Sequence, residues 1–127
     1  MDALGLVILL TVFQLKHLLA DYFLQGKYML GKFKIRNWEL PLLAHSSVHM
    51  GMTFVIASFY VPLKYAATLA FIDMCTHFVI DRIKVVTSRD YDSSVDKEYW
   101  WLLGMDQTAH HLTHYAIAFY IFLMVQS

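Results

Sequence analysis

The run Asp73-Met-Cys-Thr-His77-Phe-Val-Ile-Asp81 sets two carboxylates and an imidazole at four-residue steps inside an otherwise apolar segment, 63–86. A helix advances about 100° per residue, so every fourth residue returns to within about 40° of the first. The three ionisable groups then share one narrow stripe. The residues around them are Leu, Ile, Phe, Val, Ala and Met, the composition of a membrane span. Ionisable groups within a span are costly, face a bundle interior and mark an ion, proton or substrate site.

The rest of the chain agrees with a membrane setting. At 127 residues it is one domain by length, and 58% hydrophobic residues with a mean hydropathy of +0.48 exceed the ordinary soluble range. Formal net charge is zero and no basic-aromatic motif is present, so nucleic acid is not an expected partner. The single cysteine, Cys75, excludes an intrachain disulfide and a Cys-rich zinc site; lying opposite Asp73 and His77 on its helix, it reads as a small core residue. Met1-Asp2 lacks a positive n-region and no A-x-A-like site follows, so the first apolar segment is expected to stay in the membrane.

Four spans are predicted, at about 3–23, 41–60, 63–86 and 99–125, giving an all-α integral membrane four-helix bundle. The connection 26–40 mixes Lys27, Lys32, Lys34 and Arg36 with aromatic and aliphatic residues, which suits an interfacial segment with its lysines in the headgroups and Trp38 as an anchor. Pro41 fits the first turn of the second span. Segment 87–98 is the one stretch of soluble-loop composition, and Tyr99-Trp100-Trp101 is an aromatic interface signal. Bases concentrate in the first and third connections, while the turn at 60–65 has only Lys64. By the positive-inside rule both termini lie outside and the two longer connections are cytoplasmic.

Antiparallel spans then bring the polar residues to one level. His17 and Asp21 end the first span, His45 and His49 begin the second, Asp73, His77 and Asp81 lie late in the third, and Asp106 and His110 lie early in the fourth. All fall in the cytoplasmic half. The i, i+4 pairs His17/Asp21, His45/His49, Asp73/His77, His77/Asp81 and Asp106/His110 are metal-ligand material, because imidazole nitrogen and carboxylate oxygen from successive turns can converge on one cation. Any such pair alone is more often an interhelical hydrogen bond; the convergent set favours a metal. His17, His45, His49, Asp73, His77, Asp81 and His110 are the expected ligands, with Asp21 and Asp106 as general-base candidates. His111 and His114 drift around the wheel and have no assigned role. The ligand number suits one or two divalent ions, Zn2+ first and Mn2+ second.

The order His17-Leu-Leu-Ala-Asp21-Tyr-Phe-Leu-Gln25, Lys27 or Lys32, His45-x3-His49, Thr76-His77-x3-Asp81-x2-Lys84 and Asp106-Gln107-x2-His110 resembles the small bacterial and phage membrane proteins of domain-of-unknown-function family 3307. The resemblance covers essentially the whole chain. The His/Asp pattern is also similar to that of inner-membrane proteins described as LexA-regulated metal-dependent hydrolases, and this likeness implies a hydrolase by analogy alone.

Together these readings predict a membrane-embedded metal-dependent hydrolase, with membrane lipids around it and a lipid-linked phosphate ester, drawn to Lys27, Lys32 and Lys84, as substrate. The alternative is a non-enzymatic interaction protein, such as a phage-encoded envelope modulator, whose structural metal or hydrogen-bonded polar core holds the helices together. Ion translocation is disfavoured because the outer halves of the spans offer no polar relay. Much lipid-facing area leaves homo-oligomerisation open.

Overall fold

Each helix boundary has a local cause. Asp2 opens α1 (Ala3–Leu18) by accepting the Gly5 N–H at 2.8 Å, satisfying one of the free donors of the first turn. The helix continues as a π turn, Leu19–Phe23, closed by the Leu24 N–H on the Leu19 carbonyl at 2.8 Å. Such i→i+5 turns cluster at functional sites, and Asp21 lies within this one. After a 3-10 turn, Met29–Phe33, α2 runs Glu39–Ser58 with Pro41 in its first turn as expected. Extended Pro62 then starts α3 (Leu63–Thr87), and α4 spans Lys97–Gln126. The computed structural model describes residues 1–127.

The four helices close a ring in which α1 packs on α2 and α4, and α3 packs on the same two. The ring interior has two storeys. One is apolar, built from Leu9 and Phe13 of α1, Ala57 of α2, Ala66 and Leu69 of α3, and Ile117, Ala118 and Ile121 of α4. The other holds the buried His and Asp residues. Chain direction enforces the division, because alternating helices bring the end of α1 beside the start of α2, the end of α3 and the start of α4.

The outside of the ring is apolar as well. Leu4, Val7, Ile8, Phe59, Phe119 and Leu123 are exposed, a surface far greasier than water-soluble domains present. Ala3–Phe23, Glu39–Ser58 and Leu63–Thr87 are long and apolar enough to cross a membrane. The fourth predicted span differs: α4 has 30 residues, ample length, yet is not among these. Asp106, Gln107, His110, His111 and His114 interrupt its apolar run, and Asp106, His110 and His114 turn into the ring.

Two further expectations change. Cys75 is exposed rather than in the core, because the face opposite the Asp73/His77 stripe points away from the ring. Segment 26–40 is more than an interfacial strap: Lys32 is buried, Trp38 packs on Phe78 with ring centroids 6.0 Å apart, and the Arg82 guanidinium lies 3.6 Å from the Trp38 ring centroid. The 3-10 turn docks closely, since a Cβ on Gly31 would sit 2.8 Å from Pro41 Cγ and 3.1 Å from its Cβ.

That contact predicts opposite outcomes at two glycines. Gly31→Ala should destabilise by about 1–3 kcal/mol through overpacking against a rigid ring. Gly51→Ala, whose Cβ meets nothing within 4 Å in the exposed middle of α2, should stabilise by about 0.5–1 kcal/mol. Thermal unfolding in detergent reads both.

Candidate metal centre

The Asp21 carboxylate is the hub of the polar storey. Its Oδ1 lies 2.9 Å from His49 Nε2, 3.3 Å from His45 Nε2 and 3.8 Å from His77 Nε2, and its Oδ2 lies 3.1 Å from His17 Nε2. Three helices therefore present the same ring nitrogen to one carboxylate. His45 and His77 also face each other, Nε2 to Nε2, at 3.1 Å. The imidazoles stack as a block, with the His49 and His77 centroids 3.6 Å apart.

These spacings suit a shared cation. Atoms bound about 2.0–2.2 Å from one ion lie about 2.8–3.6 Å from one another around it. The nearest contacts at Asp21 and the His45–His77 approach fall in that range. Hydrogen bonding accounts for the arrangement less completely: the buried Nδ1 atoms of His17, His45, His49, His110 and His114 have no hydrogen-bond partner, and neither does His110 Nε2 or Asp106 Oδ1. A neutral imidazole has one donor and one acceptor nitrogen, so a finished hydrogen-bonded core would use both.

Four sets of side chains could hold a metal ion: His17/Asp21/His49/His77, His45/His77/Asp81, His49/Asp73/His114 and Asp81/Asp106/His110. Every residue expected as a ligand or base from sequence lies in at least one set. The structure nevertheless distributes them unequally. Asp21 has the surroundings of a ligand, enclosed by imidazoles. Asp106 keeps one oxygen unpaired, while its Oδ2 accepts from Gln107 Nε2 at 3.0 Å; Gln107 Oε1 in turn meets His17 Nε2 at 3.1 Å. His110 Nε2 stands 3.5 Å from Asp81 and 3.9 Å from Asp106.

Two lysines hold the remaining carboxylates. Lys16 Nζ lies 2.5 Å from Asp73 Oδ2 and 3.1 Å from His114 Nε2, and the Thr53 hydroxyl donates to the same Asp73 oxygen at 2.6 Å. Lys32 Nζ lies 2.5 Å from Asp81 Oδ2. The sequence reading missed Lys16, although a lysine inside an apolar span needs a partner and was itself a signal. It also placed Lys32 in the headgroups. His114 has a role after all, as a partner of both Lys16 and Asp73; half-buried His111 only touches the group, its ring centroid 5.3 Å from that of His17.

A cleft of about 220 Å3 opens onto this storey, lined among others by Asp21, Lys32, Asp81, Lys84, Asp106 and Gln107. A second hollow of about 270 Å3 runs between α3 and α4 past Ile80, Ile83, Leu102, Met105 and Ala109, and it shares Lys84 and Asp106 with the first. Lys27 lies elsewhere, lining a separate hollow with Lys34 and Pro41.

The buried pairs predict a clear asymmetry. Lys32→Met should destabilise by about 3–5 kcal/mol, because Asp81 is left buried without its ammonium partner, and Lys32→Met/Asp81→Asn should recover most of that loss. Lys34→Met, at an exposed lysine of the same segment, should fall within about 0.5 kcal/mol of wild type. Equilibrium unfolding in detergent distinguishes these outcomes.

No curated protein and no solved structure matches the chain. Residues 9–127 match the family described as "Protein of unknown function (DUF3307)". With nearly its whole length matched, the chain belongs to the DUF3307 family.

Proposed function

We propose that this protein is a membrane-embedded metal-dependent hydrolase whose substrate is a lipid-linked phosphate ester. The observation that carries the reading is the convergence of His17, His45 and His49 on the Asp21 carboxylate at 2.9 to 3.3 Å, separations an ion's ligands would have, with His77 beside them at 3.8 Å. Asp21, His17, His49 and His77 would hold the ion, with His45 beside them. Imidazole with carboxylate favours Zn2+, and Mn2+ is the second choice. Bound there, a divalent cation supplies Lewis acidity and lowers the pKa of water toward neutrality.

The chain's own groups supply the rest. Asp106 borders the cleft with an oxygen free to take a proton, and Gln107 fixes its other oxygen. Lys84 lines the mouth without a carboxylate partner within ion-pair distance, its ammonium 5.4 Å from the Phe33 ring centroid and 5.8 Å from that of Tyr99, and is suited to meet a phosphate. The apolar hollow between α3 and α4 is lined by the same Lys84 and Asp106. A hydrocarbon tail in that hollow would bring its phosphate to the cleft. The positive-inside rule, applied to the bases of the two longer connections, would put this mouth at the cytoplasmic leaflet of the inner membrane.

A non-enzymatic reading has its own support. Lys16–Asp73 and Lys32–Asp81 tie α1 and the 3-10 turn to α3, as the polar core of an interaction protein would. Elemental analysis and phosphate release separate the two. The hydrolase binds Zn2+ or Mn2+ near stoichiometrically and loses it in Asp21→Asn and His77→Ala. Asp106→Asn keeps the ion while kcat on a polyprenyl or diacylglycerol phosphate falls by about 10²–10⁴. A metal-loaded wild type that releases no phosphate from any lipid-linked ester would leave the interaction protein standing.

A further inference from the structure

The polar storey carries an internal charge balance that bears on how many ions it takes. Four carboxylates belong to it: Asp21, Asp73, Asp81 and Asp106. Asp73 is matched by Lys16 and Asp81 by Lys32, each at 2.5 Å. Each pair is neutral whichever partner carries the proton. Asp21 and Asp106 remain, with a formal charge of −2, and one divalent cation cancels it. A second would leave the interior with an excess of +2, which a low-dielectric setting penalises heavily.

Of the three ligand-like sets beside the Asp21 group, two contain Asp81, which Lys32 holds, and the third has a cation of its own. Asp73, His114 and His49 form one of the ligand-like sets, and the Lys16 ammonium lies on its Asp73 and His114 atoms. The lysine donates to Asp73 Oδ2 at 2.5 Å, and its ammonium stands 3.1 Å from His114 Nε2, which is itself 3.3 Å from Asp73 Oδ1. The three groups meet as closely as ligands around one ion. Lys16 itself is nearly inaccessible, with its side chain 1% exposed, so water does not compensate it.

We propose that Lys16 is a built-in substitute for a second metal ion: its ammonium fills the Asp73/His114/His49 site and limits the protein to one divalent cation, held around Asp21. The proposal rests on the metal-centre reading above and specifies its ion count. Removing the ammonium frees the Asp73 carboxylate and the His114 imidazole for a second Zn2+, next to the His49 that the resident ion already uses.

The test is zinc content per folded chain, measured by elemental analysis on tag-free protein in detergent after equilibration with Zn2+ and gel filtration. Wild type should hold one ion, Lys16→Ala two, and Lys16→Ala/His114→Ala one again. Two ions in the wild type, or one in folded Lys16→Ala, would overturn the proposal while leaving the metal centre intact. An ion-free wild type would overturn the metal centre itself, and this inference with it. Should Lys16→Ala not fold, Lys16→Met/Asp73→Asn removes both charges and is expected to keep the single ion. Loss of zinc in that folded double variant would make Asp73 a ligand of the resident ion and sink the proposal.

Discussion

Carboxylates inside an apolar helical ring must be compensated, and that requirement organises the rest of this molecule. Unpaired, each would cost several kcal/mol of desolvation. Here Lys16 and Lys32 neutralise Asp73 and Asp81, while Asp21 is enclosed by imidazoles from α1, α2 and α3. The contacts cross between elements, so charge pairing holds the helices in one register. The apolar storey around Phe13, Leu69 and Ile121 adds packing, but packing alone tolerates sliding that charge pairing does not.

The π turn at Leu19–Phe23 and the 3-10 turn at Met29–Phe33 act on the same site from the chain between α1 and α2. The first carries Asp21. The second carries Lys32 inward to Asp81, and its close fit against Pro41 ties that placement to the start of α2. Irregular backbone at membrane depth is tolerated where it is buried in protein or lines a cavity, and the cleft beside Asp21 and Lys32 is such a cavity. The α3–α4 hollow and that cleft share Lys84 and Asp106 in their linings.

Much of this was legible without coordinates. The D-x3-H-x3-D stripe required one helical face to point inward, and Asp73, His77 and Asp81 are all buried. The alternation of apolar segments required His17, His45, His49 and His110 to reach the same level, which they do. Periodicity also separated Cys75 from the stripe, but could not say that the opposite face of α3 lies outside the ring. The three apolar helices were equally plain; α4 is not among them, its inward His and Asp residues diluting its hydropathy.

By itself, then, the sequence determined the helical class, the number of helices and the convergence of His and Asp at one level, because these follow from period and hydropathy along a single chain. Only the tertiary structure decided which carboxylate each cation meets. Lys16 and Asp73 are 57 residues apart and Lys32 and Asp81 49, and nothing in local spacing pairs them. The same holds for the division between Asp21, enclosed by imidazoles, and Asp106, which lines the cleft and keeps one buried oxygen without a hydrogen-bond partner. Partner choice among equivalent charges depends on distance in space, and distance in space is set by how four helices close around a common interior.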